Sequence, residues 1–89
     1  MKGEFKVGSV VLSNAGHDSG DYFVVVEVVN SDYVLIVNGK TRTLDKPKLK
    51  KMKHLKLIGV ELSEIASKIQ KGELVHDKTI KVALSKLTK

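Results

Sequence analysis

Eight consecutive residues, Tyr22-Phe-Val-Val-Val-Glu-Val-Val29, carry a single charge, at Glu27. β-Branched and aromatic side chains suit a pleated surface better than a helix, so the run predicts a strand. Successive side chains of a strand point to opposite faces. A strand covered on one face alternates apolar and polar residues, but this one is apolar on both alternations apart from Glu27. Both faces must therefore be buried, as in a barrel or a sandwich. The other elements of the 89-residue chain have to be arranged around this strand.

Shorter β-like runs flank it. Gly8-Ser-Val-Val-Leu-Ser13 reads as a strand, and Asn14-Ala-Gly-His-Asp-Ser-Gly-Asp21 as a loop rich in turn formers. Asn30-Ser-Asp32 is a turn, followed by a strand at Tyr33-Val-Leu-Ile-Val37. Asn38-Gly39 then predicts a two-residue type I′ hairpin, because both central residues of that turn need positive φ. Lys40-Thr-Arg-Thr-Leu44 would be the returning strand, with Lys40, Arg42 and Leu44 on one face. Asp45-Lys-Pro47 breaks the pattern. Lys48 to Lys51 has no clean period, and Met52-Lys-His-Leu-Lys-Leu57 predicts the next strand, ended by Gly59.

The period then changes. Leu62, Ile65, Ala66 and Ile69 lie at i, i+3, i+4 and i+7, one face of a helix. Gly72 sits where a C-terminal cap belongs, and Asp77 suits the start of a second helix. Ile80, Ala83, Leu84 and Leu87 repeat the spacing. The expected organisation is mainly β: about five short strands in residues 1–59, then a two-helix appendage in residues 60–89. Neither helix is long enough to be stable alone, so both must pack on something.

The chain has no Cys, which removes disulfides and thiolate metal sites. Its apolar fraction of 42% is enough for one small core. Met1 to Val7 contains Lys2, Glu4 and Lys6 and offers no apolar signal segment. The longest apolar runs are too short to span a membrane, so a cytoplasmic protein without membrane association is expected.

Little points to catalysis. A nucleophilic site needs Ser or Cys beside a base and an orienting group. His17, His54 and His76 fall on a loop, in a basic segment and between the two helices, without zinc-ligand spacing. Gly16-His-Asp-Ser-Gly20 lacks the form of a phosphate-cradling nucleotide loop. A non-enzymatic protein without cofactor or metal is the expectation.

Charge is more informative. Residues 1–40 hold three Lys against five acids, for −2; residues 41–57 hold one Arg and six Lys against Asp45, for +6; residues 58–89 hold six Lys against four acids, for +2. Nearly all the excess lies in one segment. An isolated lysine is usually a solvated charge, but the six lysines in residues 46–56 repel one another unless a polyanion lies against them. Lys40, Arg42, Lys46, Lys48, Lys50, Lys51, Lys53 and Lys56 are thus candidate phosphate ligands. Arg42 offers a bidentate fork, and His54 can stack on a base or bond a phosphate. Gly16, His17, Ser19, Gly20 and Tyr22 are candidate loop contacts.

Val7-Gly-Ser-Val-Val-Leu-Ser-Asn-Ala-Gly-His-Asp-Ser-Gly20 followed by Phe23 to Val29 resembles a KOW-type RNA-binding domain. In that motif a Gly-x-x-x-Gly loop joins the first two strands of a small SH3-like barrel. Tyr33-Val-Leu-Ile-Val-Asn-Gly39 through Lys53-His-Leu-Lys56 resembles a narrower group. These are short bacterial KOW proteins similar to the fourteenth-numbered eukaryotic-type large-subunit ribosomal protein. The resemblance covers residues 7–57. It implies a five-stranded SH3-like barrel that binds ribosomal or other structured RNA in a translation-linked role, with the ribosome a candidate partner. The family loop usually carries basic residues near the positions of His17 and Ser19; here Asp18 and Asp21 add negative charge, which shifts the expected contact to residues 40–56. The competing expectation is a protein-interaction adaptor using the barrel or the helical tail.

Overall fold

The computed structural model describes residues 5–14, 16 and 20–87. The long apolar run becomes β2 (Tyr22–Val28), the central strand of a five-stranded antiparallel sheet. Around it lie β1 (Ser9–Ser13), β3 (Tyr33–Val37), β4 (Lys48–Lys51) and β5 (Leu55–Glu61), in the order β4-β3-β2-β1-β5. Two helices follow, α1 (Ser63–Gln70) and α2 (Asp77–Leu87).

Phe23, Val24 and Val25 bury both faces of β2, as its composition predicts, whereas its far end, with Val28 and the following Val29, is exposed. Phe23 and Val25 join Val11, Val34, Ile36 and Leu55 on one side. Val24 joins Val10 and Val37 on the other, where Ile65 of α1 and Ile80 and Leu84 of α2 complete the cluster. The helices thus cover the second face with the stripes set by their i, i+3, i+4 spacing: Leu62, Ile69 and Ala83 are partly buried around Ile65, Ile80 and Leu84, and Leu87 is left exposed. Ile80 is fully buried. Ile80→Ala is expected to cost about 2–5 kcal/mol, because it empties a site that the sheet and both helices share. Chemical denaturation followed by far-UV circular dichroism would show this as one transition moved to lower denaturant. A main transition that stays in place would mean that the helices add nothing to the sheet's stability.

The sheet curls because of its connections. Five flat strands would put the edge strands β4 and β5 roughly 19 Å apart. The link between them, Met52–His54 in one 3₁₀ turn, allows only about 14 Å from Lys51 to Leu55. The edges are therefore drawn together around the Phe23 cluster. The expected barrel is nevertheless not closed. β4 and β5 remain the two edges of the sheet. The polar groups of the turn between them bond elsewhere: Met52 N–H donates to the Asp32 carbonyl (2.8 Å), and the His54 carbonyl accepts from Asn14 N–H (3.0 Å).

Three local expectations are corrected. Residues 40–44 form no strand; β3 pairs with Lys48–Lys51 instead, with Tyr33 opposite Lys51 and Ile36 opposite Lys48. Strand structure begins at Leu55 rather than Met52. Gly59 does not end β5. It lies inside the strand at φ +80°, where the pairing with β1 shifts register between Ser9 and Val11. Glycine supplies the left-handed conformation that such a bulge needs.

The helix ends follow the expected chemistry more closely. α1 stops at Gly72, whose N–H donates to the Ile69 carbonyl (3.1 Å) while Glu73 N–H donates to the Lys68 carbonyl (2.8 Å), the paired bonds of a Schellman cap. Asp77 opens α2, but its carboxylate accepts from Leu44 N–H (2.8 Å) in the β3–β4 connection.

Candidate nucleic-acid interface

The loop between β1 and β2 is pinned at its mouth. Ser13 N–H donates to the Asp21 carbonyl (3.0 Å), and Gly20 N–H donates to the Ser13 carbonyl (2.8 Å). The bond from Asn14 N–H to the His54 carbonyl ties the start of the loop to the 3₁₀ turn. The basic segment therefore arrives beside the glycine loop, although Gly16 and Lys50 are 34 positions apart in sequence.

Alternation along β4 divides its lysines between two faces. Lys50 lies opposite Val34, on the side of the Phe23 cluster, and is only 9% exposed. Its long methylene stem is covered with the rest of the residue, and its ammonium ends beside the glycine loop. Lys50 Nζ stands 3.6 Å from where a Cβ on Gly16 would be. Lys51 points to the opposite face beside its cross-strand neighbour Tyr33, with its ammonium 5.7 Å from the ring centroid. That geometry gives a weak cation–π attraction. Lys53 and Lys56 are exposed and His54 is half-buried. Lys56 pairs across from Leu12, on the face of β5 away from the Phe23 cluster. Elsewhere on the surface Lys6 and Glu61 form an ion pair (3.0 Å).

The β3–β4 connection, residues 38–47, carries the other basic candidates. Asn38 organises it. Its Oδ1 accepts from Lys40 N–H and Arg42 N–H (both 2.9 Å), its Nδ2 donates to Thr41 Oγ1 (3.1 Å), and Asn38 and Gly39 N–H both donate to the Arg42 carbonyl. The connection rests on α2 through Gly39, at φ +80°. A Cβ there would collide with the Asp77 carbonyl and stand 2.9 Å from Lys81 N. Arg42 is half-buried, and its Nε is buried without a hydrogen-bond partner among the described residues. Lys40 and Lys46 are exposed.

The structure thus divides the candidates into two groups, one near Gly16 and one near Gly20. Gly16, Lys50, Lys51, Lys53 and His54 gather around the 3₁₀ turn. Gly20, Tyr22 and Lys40 line a cleft against α2. Lys48 lies on β4 opposite Ile36, Lys46 projects from the connection, and Lys56 sits on β5. His17 and Ser19 lie outside the described residues. Tyr22 serves two ends: it packs against the helix-side cluster and borders the cleft.

One cation was not among the sequence candidates. Lys81 of α2 lines the same cleft as Lys40. The helical period places it beside the buried stripe of Ile80 and Leu84, but no local pattern shows that this flank meets residues 38–41. Among the described residues no cluster of three or more His, Asp or Glu is placed to hold a metal ion, and no helix is long and apolar enough to cross a membrane. No protein-family model and no curated protein matches the chain.

Proposed function

We propose that the chain is a non-enzymatic RNA-binding module for structured RNA, with ribosomal RNA the class suggested by its KOW-like loop. The observation that carries this reading is the meeting of Gly16 with Lys50, beside a turn that presents Lys51, Lys53 and His54. Lysine ammonium groups along a backbone-lined loop are suited to phosphates, whose contacts dominate nucleic-acid affinity. The half-buried His54 adds a flat ring for an unpaired base. A translation-linked role is part of the same proposal.

The competing adaptor reading draws on a groove between α1 and α2, bordered by Leu62, Ile65 and Val82. Titrating the ¹⁵N-labelled protein with a structured ribosomal RNA fragment separates the two. Amide shifts clustered at Gly16, Gly20 and residues 50–54 are expected. Shifts confined to the α1–α2 groove, or none at all, would sink the RNA reading at this surface.

A further inference from the structure

The cleft beside the loop has a wall that the KOW-like segment does not supply. It measures about 430 Å³ and lies between the β3–β4 connection, the start of β2 and α2. A volume in this range suits one small planar ligand or a single nucleotide. Lys40 enters from the connection and Lys81 from the helix, with Tyr22 and Asn38 also lining the cleft. The two lysines belong to backbones held in direct contact, since a Cβ on Gly39 would stand 3.1 Å from Lys81 Cβ. Both side chains are exposed. Asp21 borders the same space, so the two ammonium groups outnumber the acid.

The cleft also continues the first surface. Gly20 lines it, Gly16 stands by Lys50, and only three residues separate those two glycines in sequence. We infer that the bound RNA places a nucleotide in this cleft, with its phosphate between Lys40 and Lys81 and its base beside Tyr22. The helical tail then contributes directly to binding. This rests on the RNA reading above and adds Lys81 as a phosphate ligand.

The test uses the full chain and the same structured RNA in filter binding at several salt concentrations. Lys81→Glu is compared with Lys78→Glu, an exposed lysine of the same helix that lines the α1–α2 groove. Lys81→Glu is expected to weaken binding about fivefold to tenfold and to make the salt slope shallower by about one. Lys81→Arg should retain affinity, and Lys78→Glu should leave the slope unchanged. Equal losses in Lys81→Glu and Lys78→Glu would reduce the effect to net charge and overturn the inference. Full affinity in Lys81→Glu, with binding still lost on reversing Lys51, Lys53 and Lys56, would overturn it while leaving the RNA reading intact. A wild-type chain that fails to bind RNA would remove both.

Discussion

Lys51→Glu, Lys53→Glu and Lys56→Glu combined are expected to weaken binding to structured RNA by roughly a hundredfold or more, about 3 kcal/mol. The three lysines come from β4, the 3₁₀ turn and β5 in immediate succession, so they crown the point where the sheet's edges approach. Each substitution removes a counterion-releasing contact and sets a carboxylate against phosphate. The salt slope should become shallower by about three, one unit per lost contact. Lys50 is left in place because its stem is buried against the interior, where glutamate would disturb folding as well as binding. Loss of the Lys51–Tyr33 contact costs only about 0.5–1 kcal/mol, so the variant should remain folded. Filter binding alongside thermal unfolding would check both points. A folded variant with wild-type affinity would remove this surface from the account.

Gly39→Ala is expected to destabilise the chain by about 3 kcal/mol or more. Two costs combine. An L-residue in the left-handed region loses about 1 kcal/mol relative to glycine. The added methyl group would also collide with the Asp77 carbonyl and approach Lys81 N to 2.9 Å, and both obstacles are backbone, which cannot rotate away. Relief requires α2 to shift off the sheet, disturbing the burial of Ile80 and Leu84. A chain of this size has a total stability of only about 4–13 kcal/mol, so the loss is a large share. Gly8 offers a milder comparison. A Cβ there would stand 2.6 Å from the Ala66 side chain and 3.2 Å from the Leu62 carbonyl, at the start of α1. Urea denaturation of Gly39→Ala should show a clearly lower midpoint. A change below about 0.5 kcal/mol would mean that the connection does not rest on α2 as described.

Much of this architecture is legible in the sequence, and the reason is visible in β2. Its two-sided apolar pattern demanded cover on both faces, and the helical periods of the tail supplied the residues that cover one of them. Asn38-Gly39 shows where such reading fails. The dipeptide suits a two-residue turn, yet Asn38 uses its side chain to satisfy Lys40 and Arg42 N–H, which holds residues 38–42 in a loop and delays the return strand to Lys48. Local propensity could not separate the two outcomes, because the deciding contact, Gly39 against α2, lies about 40 residues further along the chain. Gly59 reads in sequence as a strand end and not as a bulge, since the bulge depends on the register of β1.

The candidate site divides along the same line. The charge map pointed to residues 41–57, and the motif pointed to Gly16 and Gly20. Their meeting at Lys50 depends on the curl of the sheet, which no local pattern records. The basic segment looked like one stripe in sequence. In the fold it contributes to two surfaces, because the β3–β4 ladder separates Lys40 from Lys51 and Lys53. Lys81 is not legible for a related reason: its place in the cleft is set by what packs against α2.

The most direct test of the central claim is the salt dependence of RNA binding by the unaltered chain. With about four to six phosphates engaged, the logarithm of the association constant should fall linearly with the logarithm of salt concentration, at a slope of roughly −3 to −5. Binding that is absent, or that keeps the same affinity across that salt range, would contradict the account.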